Sequence, residues 1–119
     1  MRLVDVLQKE IKINDEFVVQ IESLYDESLP KDVRNAVSLS NEAIFYDDFS
    51  LLRGLSHEEI LDANSDLQVD FIEKKLLPLF DIGDNDFIVY DLSDRHWYKF
   101  NIVDEEKFEK TENLIQYFK

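Results

Sequence analysis

Apolar positions follow two different spacings along this chain. Through the first forty residues they recur with helical spacing, and from Leu76 onward they form compact runs separated by turn residues. Leu3, Val6, Leu7 and Ile11 predict a short first helix. Phe17, Val18, Ile21, Leu24 and Tyr25 line one face of a second helix, with Asn14 or Asp15 available to cap its start. Leu29-Pro30 restarts the chain, because proline suits a first helical turn where no N–H is needed. Val33, Ala36 and Val37 supply the buried face of that third helix, and Ser40 and Asn41 end it. Ala43 to Asp47 and Phe49 to Arg53 then read as a tight hairpin around Asp47-Asp48.

The clearest local signal is at Ser56. Ser56 and Glu59 have the spacing of a capping box, and Leu55 and Ile60 have that of a hydrophobic staple, which predicts a helix from His57 to about Asn64. Residues 65–75 read as an irregular or helical connector. A three-stranded meander follows. Leu76 to Phe80 is its first strand, with Pro78 implying an edge position or a bulge. Gly83-Asp84-Asn85 makes a turn. Phe87 to Leu92 is apolar on both faces and is therefore placed centrally. Ser93-Asp94-Arg95 makes the second turn. In the third strand Tyr98, Phe100 and Ile102 share one face and Trp97, Lys99 and Asn101 the other. Leu114, Ile115 and Phe118 predict a closing amphipathic helix with Thr111 as its cap. The expected fold class is α+β: an antiparallel β-sheet, made of a hairpin plus a three-stranded meander, packed with N-terminal, central and C-terminal helices on one face or at one end. With 119 residues and no repeat or linker, the chain reads as a single domain, 1–119.

Charge changes the picture next. The chain carries 27 acids against 13 bases, a net charge of −14. The surplus is not a tail: residues 1–28 hold seven acids and three bases, residues 29–79 ten and five, and residues 80–119 ten and five. Such a field repels nucleic acid and anionic membranes and steers cationic partners. The absence of cysteine excludes a disulfide scaffold, a thiolate zinc site and a thiol nucleophile. No signal-peptide core and no membrane-length apolar run is found, so the expectation is a soluble cytoplasmic protein.

Candidate chemistry is sparse. A zinc site needs three or four converging ligands, and His57 and His96 are the only histidines. The run Asp81-Ile82-Gly83-Asp84-Asn85-Asp86 has glycine third, not sixth as a calcium loop of the EF-hand type requires, so it reads as a turn. Adjacent carboxylates such as Asp47 and Asp48 point apart in a turn, unlike a hydrolytic pair flanking a cleft. No phosphate-cradling glycine loop, nucleophile elbow or zinc-protease motif occurs. The sequence thus predicts a binding module with no catalytic residues, no metal and no cofactor. Trp97 is left as either a core residue under a covering helix or an exposed anchor, since tryptophan is enriched at interfaces.

From Leu29-Pro30 onward the chain resembles the SUKH superfamily. The resemblance is carried by Leu29-Pro30 before a helix and by Phe49-Ser50-Leu51-Leu52-Arg53-Gly54-Leu55-Ser56-His57-Glu58-Glu59-Ile60. It continues in Leu77-Pro78-Leu79-Phe80 with Gly83-Asp84, in a strand ending Tyr90-Asp91, and in Leu114-Ile115-Gln116-Tyr117-Phe118. Ser40-Asn41-Glu42-Ala43 stands where many members have Asn-Gly-Gly. The resemblance implies a non-catalytic α+β domain, related to fungal cell-wall regulators and to bacterial immunity proteins. It further implies a protein partner: a toxin domain, in many cases a nuclease, whose basic groove an acidic surface can occupy by imitating nucleic acid. On that reading the partner-binding rim comprises Asp81, Asp84, Asp86, Asp91 and Asp94, joined by Asp47 and Asp48 if the two hairpins share an edge, with Trp97 or Tyr98 as the apolar anchor. The expected molecule is a monomer or weak dimer. The competing class is an intracellular regulatory or scaffold module with no toxin partner.

Overall fold

The structure, a computed structural model, describes residues 2, 5–6, 12–41, 44–46 and 51–118. Helix α1, Asp15–Tyr25, starts where the Asn14 side chain accepts the Phe17 amide. Phe17, Val18, Ile21 and Tyr25 form its buried face, as their spacing predicts. Helix α2, Lys31–Ser40, follows Leu29-Pro30 and buries Val33, Ala36, Val37 and Ser40. Of the predicted first helix, Leu3, Leu7 and Ile11 lie outside the described residues. Strands β1, Ile44–Tyr46, and β2, Leu51–Gly54, pair antiparallel as expected, while Asp47 and Asp48 also lie outside the described residues.

The predicted helix after Ser56 is two short helices, α3 at His57–Leu61 and α4 at Ala63–Leu67. Both halves of the capping box are present: Ser56 accepts the Glu59 amide, and the Glu59 carboxylate accepts the Ser56 amide. The ambiguous connector ends in helix α5, Phe71–Lys74, capped by Asp70. Strands β3, Leu76–Gly83, β4, Asp86–Asp91, and β5, His96–Asn101, form the meander. A further strand, β6 at Glu106–Thr111, was not expected. It pairs antiparallel with β5, so the sheet has six strands in the order β1-β2-β3-β4-β5-β6. The closing segment Leu114–Phe118 is a single 3₁₀ helix. Thr111 does not cap it, because Thr111 is the last residue of β6; the Asn113 side chain accepts the Ile115 amide instead.

β3 and β4 are buried on both faces. Leu76 to Phe80 and Phe87 to Asp91 are all buried. Helices meet the sheet on both faces, where one face or one end was expected. Trp97 and Phe100 are three apart on β5 and so point to opposite faces. The Trp97 indole reaches Asp32 on α2, and Phe100 packs edge-on against Phe71 on α5. Tyr25 ties α1 to the start of the meander. Its hydroxyl donates to the Leu76 carbonyl at 2.9 Å, and Lys75 donates to the Tyr25 carbonyl at 2.6 Å. Pro78 lies beside a bulge in the β3–β4 register, and β2 reaches β3 only at Phe80 and Asp81, so the missing N–H breaks no ladder bond to β2.

One close approach fixes how α2 meets the sheet. A Cβ built on Gly54 would stand 2.0 Å from the Ser40 carbonyl oxygen, in the last turn of α2. Backbone touches backbone there, and no side-chain rotation can relieve a clash. Gly54→Ala therefore lowers unfolding free energy by about 1–3 kcal/mol or more in a urea melt. A stability unchanged within error would mean that α2 is free to move away.

His57 carries a second prediction. Its ring stacks on Phe17 with centroids 3.6 Å apart, and its covered Nε2 has no hydrogen-bond partner among the described residues. Burial holds the imidazole below its ordinary pKa of 6.5. The unfolded chain therefore takes up the proton first as pH falls. The contribution to stability is complete above about pH 6.5 and declines below it, until the folded ring also protonates. His57→Phe keeps the stack without the proton. Urea melts at pH 7.5 and 5.5 are expected to show a larger acid loss for the native chain than for this variant; equal losses would contradict the assignment.

Candidate partner-binding surface

The antiparallel topology separates the aspartates that the sequence groups together. In a meander each turn reverses the chain, so successive turns stand at opposite ends of the sheet. The β3–β4 turn carries Asp84 and Asn85, both at positive φ (55° and 65°), as a two-residue turn of the mirror-image type requires. The β4–β5 turn, with Asp94 and Arg95, lies at the other end. Five steps of β4, from Asp86 to Asp91, span roughly 17 Å. The predicted rim is therefore two clusters: Asp81, Asp84 and Asp86 at one end, Asp91 and Asp94 at the other.

The second cluster is structural. Asp91 is 4% exposed. One carboxylate oxygen accepts the Ser93 amide at 2.8 Å and the Asp94 amide at 3.2 Å, and the other meets the Lys107 ammonium at 2.6 Å. Its charge is consumed inside the fold, so it is not a rim residue. Asp94 accepts the Tyr98 hydroxyl and the His96 amide, with Lys110 at 3.7 Å. Desolvation pushes the Asp94 carboxyl up, but the Tyr98 hydrogen bond and the nearby ammonium groups outweigh it and hold the pKa below the ordinary value. The same bond pushes the Tyr98 phenol up to about 12. Asp94 remains partly exposed, yet it faces ammonium groups that already answer its charge.

Neither aromatic anchor is available. Trp97 is fully buried, stacks edge-on with Tyr90 at 5.0 Å and donates its indole N–H to Asp32 at 3.2 Å. Lys99 and Asn101 on the same face suggest an open surface, but the start of α2 and Leu114 cover Trp97. Tyr98 is 9% exposed and lies beneath the Lys107 ammonium, 4.5 Å from its ring centre.

The first cluster gains members that sequence reasoning missed. The β5–β6 turn falls at the same end, and the Ile102 amide donates to the Asn85 carbonyl at 3.0 Å. Asp104, Glu105 and Glu106 thus join Asp81, Asp84 and Asp86. Among the described residues, Asp84, Asp104 and Glu106 are exposed and form no ion pair. Asp81 stands 3.9 Å from Arg53, and Glu105 3.6 Å from Lys74, both at half-exposed sites where pairing is weak. The strand pairing that assigns this turn was the missing signal, since β6 itself was not legible. The turn oxygens are partly engaged: Asp81 accepts the Gly83 amide and Asp86 accepts the Asn101 side-chain amide. Among the described residues no group of three His, Asp or Glu could hold a metal ion, and no helix is long and apolar enough to cross a membrane.

The two clusters differ in what their removal does. Asp91→Ala strands two amides and the Lys107 charge, and is expected to cost about 1–3 kcal/mol. Asp84→Asn keeps a residue tolerant of positive φ on an exposed turn and is expected to change stability by less than about 0.5 kcal/mol. Urea melts of the two variants check the contrast, and equal effects would contradict it. Compared with known proteins, the chain matches no family model and no curated protein.

Proposed function

We propose that this chain is a non-catalytic protein-binding domain, an immunity protein of the SUKH type that neutralises a bacterial toxin through an acidic surface. The observation that carries this reading is the gathering of six carboxylates at one end of the sheet: Asp81, Asp84, Asp86, Asp104, Glu105 and Glu106. Three of them, Asp84, Asp104 and Glu106, form no ion pair among the described residues and are exposed. The acidic charge of the whole chain reinforces their field. A toxin that acts on nucleic acid has a cationic groove for phosphates. Carboxylates on two adjoining turns would enter such a groove, accept bonds from its Arg and Lys side chains, and exclude the substrate. The same field would speed encounter and make it depend on salt.

The test is whether a large modular secreted protein with a basic C-terminal domain is encoded beside this gene, and whether that domain binds this chain. The purified pair is expected to form a complex that abolishes toxin activity and associates more slowly as salt rises. The combined change Asp84→Asn, Asp86→Asn, Asp104→Asn and Glu105→Gln is expected to slow association about tenfold at low salt and to flatten the salt dependence. Unchanged association would remove the electrostatic part of the reading. Failure of the pair to bind would remove the reading itself.

A further inference from the structure

We infer that the bare face of the β1–β2 hairpin is the apolar anchor site for a basic protein partner. All three residues of β1, Ile44-Phe45-Tyr46, are apolar, as in a strand covered on both sides. Yet among the described residues cover exists on one side only, with Arg2 bridging Tyr46 along the outer edge of β1. Phe45 and Leu52 are 0% and 3% exposed, whereas Ile44, Tyr46 and Leu51 are 61%, 46% and 70% exposed. Tyr46 pairs with Leu51 and Ile44 with Arg53, so these three apolar side chains share one face of the hairpin. Scattered exposed apolar residues are ordinary; three adjoining ones on one small hairpin form a patch.

The helical cover of this sheet face reaches Arg53 on β2 and not the patch beside it. Phe87 is buried opposite Asp81, and beyond Asp81 comes Arg53 on β2. Arg53 is gripped at 2.6 and 2.9 Å by both oxygens of Glu59 on α3. That bond holds the Glu59 carboxyl down to about 2, so the clamp stays charged at neutral pH. Ile44, Tyr46 and Leu51 lie outside the clamp. The register also puts Leu51 toward the end of the sheet where β3 reaches Gly83, next to the acidic turns.

Charge selects the occupant. Residues 54–73, which include the flanking α3 and α4, hold six acids and no Lys or Arg. The acidic turns border the patch on another side. A second copy of this chain would bring the same negative field and be repelled. A partner with an apolar side chain set among Lys and Arg satisfies both the patch and its border, with the apolar contact at the centre and charges at the rim. This inference rests on the reading of the chain as a protein-binding domain and supplies the anchor that buried Trp97 cannot.

The experiment uses a displayed library of random twelve-residue peptides panned on the full chain, followed by affinity measurement with purified variants. Enriched peptides are expected to be basic and to contain an aliphatic or aromatic residue. Leu51→Ser and Tyr46→Ala are expected to weaken their binding about tenfold or more, as loss of a central anchor does. Val19→Ser, at an exposed apolar position on α1, is expected to leave binding unchanged. Peptides that bind Leu51→Ser and Tyr46→Ala as well as the native chain would overturn this surface while leaving the protein-binding reading intact. Failure to enrich basic, apolar-bearing peptides would also overturn it. Sedimentation showing a dimer that Leu51→Ser dissolves would assign the face to a second copy and overturn the basic partner.

Discussion

The buried antiparallel pair β3–β4 is the constraint on which the remaining structure depends. Leu76 to Phe80 and Phe87 to Asp91 are inaccessible from either side, so both faces must be covered and both flanks extended by further strands. The helices follow from that need. Tyr25 and Lys75 lock α1 to the start of β3, Gly54 lets α2 close on the sheet, and Phe71 brings α5 onto Phe100. The same pair decides electrostatics. Because its strands run antiparallel, turns alternate between ends, and an acidic sequence becomes two acidic sites with different duties.

One of those sites is consumed by the fold. Asp91 and Asp94 hold the β4–β5 turn and answer Lys107 and Lys110. In the other, Asp84, Asp104 and Glu106 form no ion pair among the described residues. Exposed ion pairs contribute little to stability, so half-exposed pairs such as Lys74–Glu105 neither explain nor offset the surplus. A chain at −14 bears self-repulsion, and an acidic end beside a bare apolar hairpin is a cost to solubility and stability that a basic partner would relieve.

Much of the architecture was legible because local chemistry and packing agree. Leu29-Pro30 ahead of α2, the Ser56–Glu59 box and the β3–β4 turn each have one dominant physical reading, and the structure has each of them; of the two cap candidates Asn14 and Asp15, it uses Asn14. β6 was not legible, because Glu-Lys-Phe-Glu-Lys-Thr offers one large apolar residue and the charged composition typical of an edge strand. Trp97 was undecided because its strand neighbours are polar; the residues that bury it come from α2 and the C-terminal segment, which no local pattern announces. The grouping of aspartates failed for the same reason. Sequence proximity said one rim, and strand pairing said two.

The central claim is that a partner is met at one end of the sheet, by the acidic turns together with the β1–β2 hairpin. Amide hydrogen exchange, with and without a basic peptide that binds the native chain, tests it most directly. The account predicts added protection at 44–46, 51–54, 83–86 and 102–106, with 91–96 and α1 unchanged. Protection centred on 91–96 or on α1, with the hairpin and the β3–β4 turn unaltered, would contradict it.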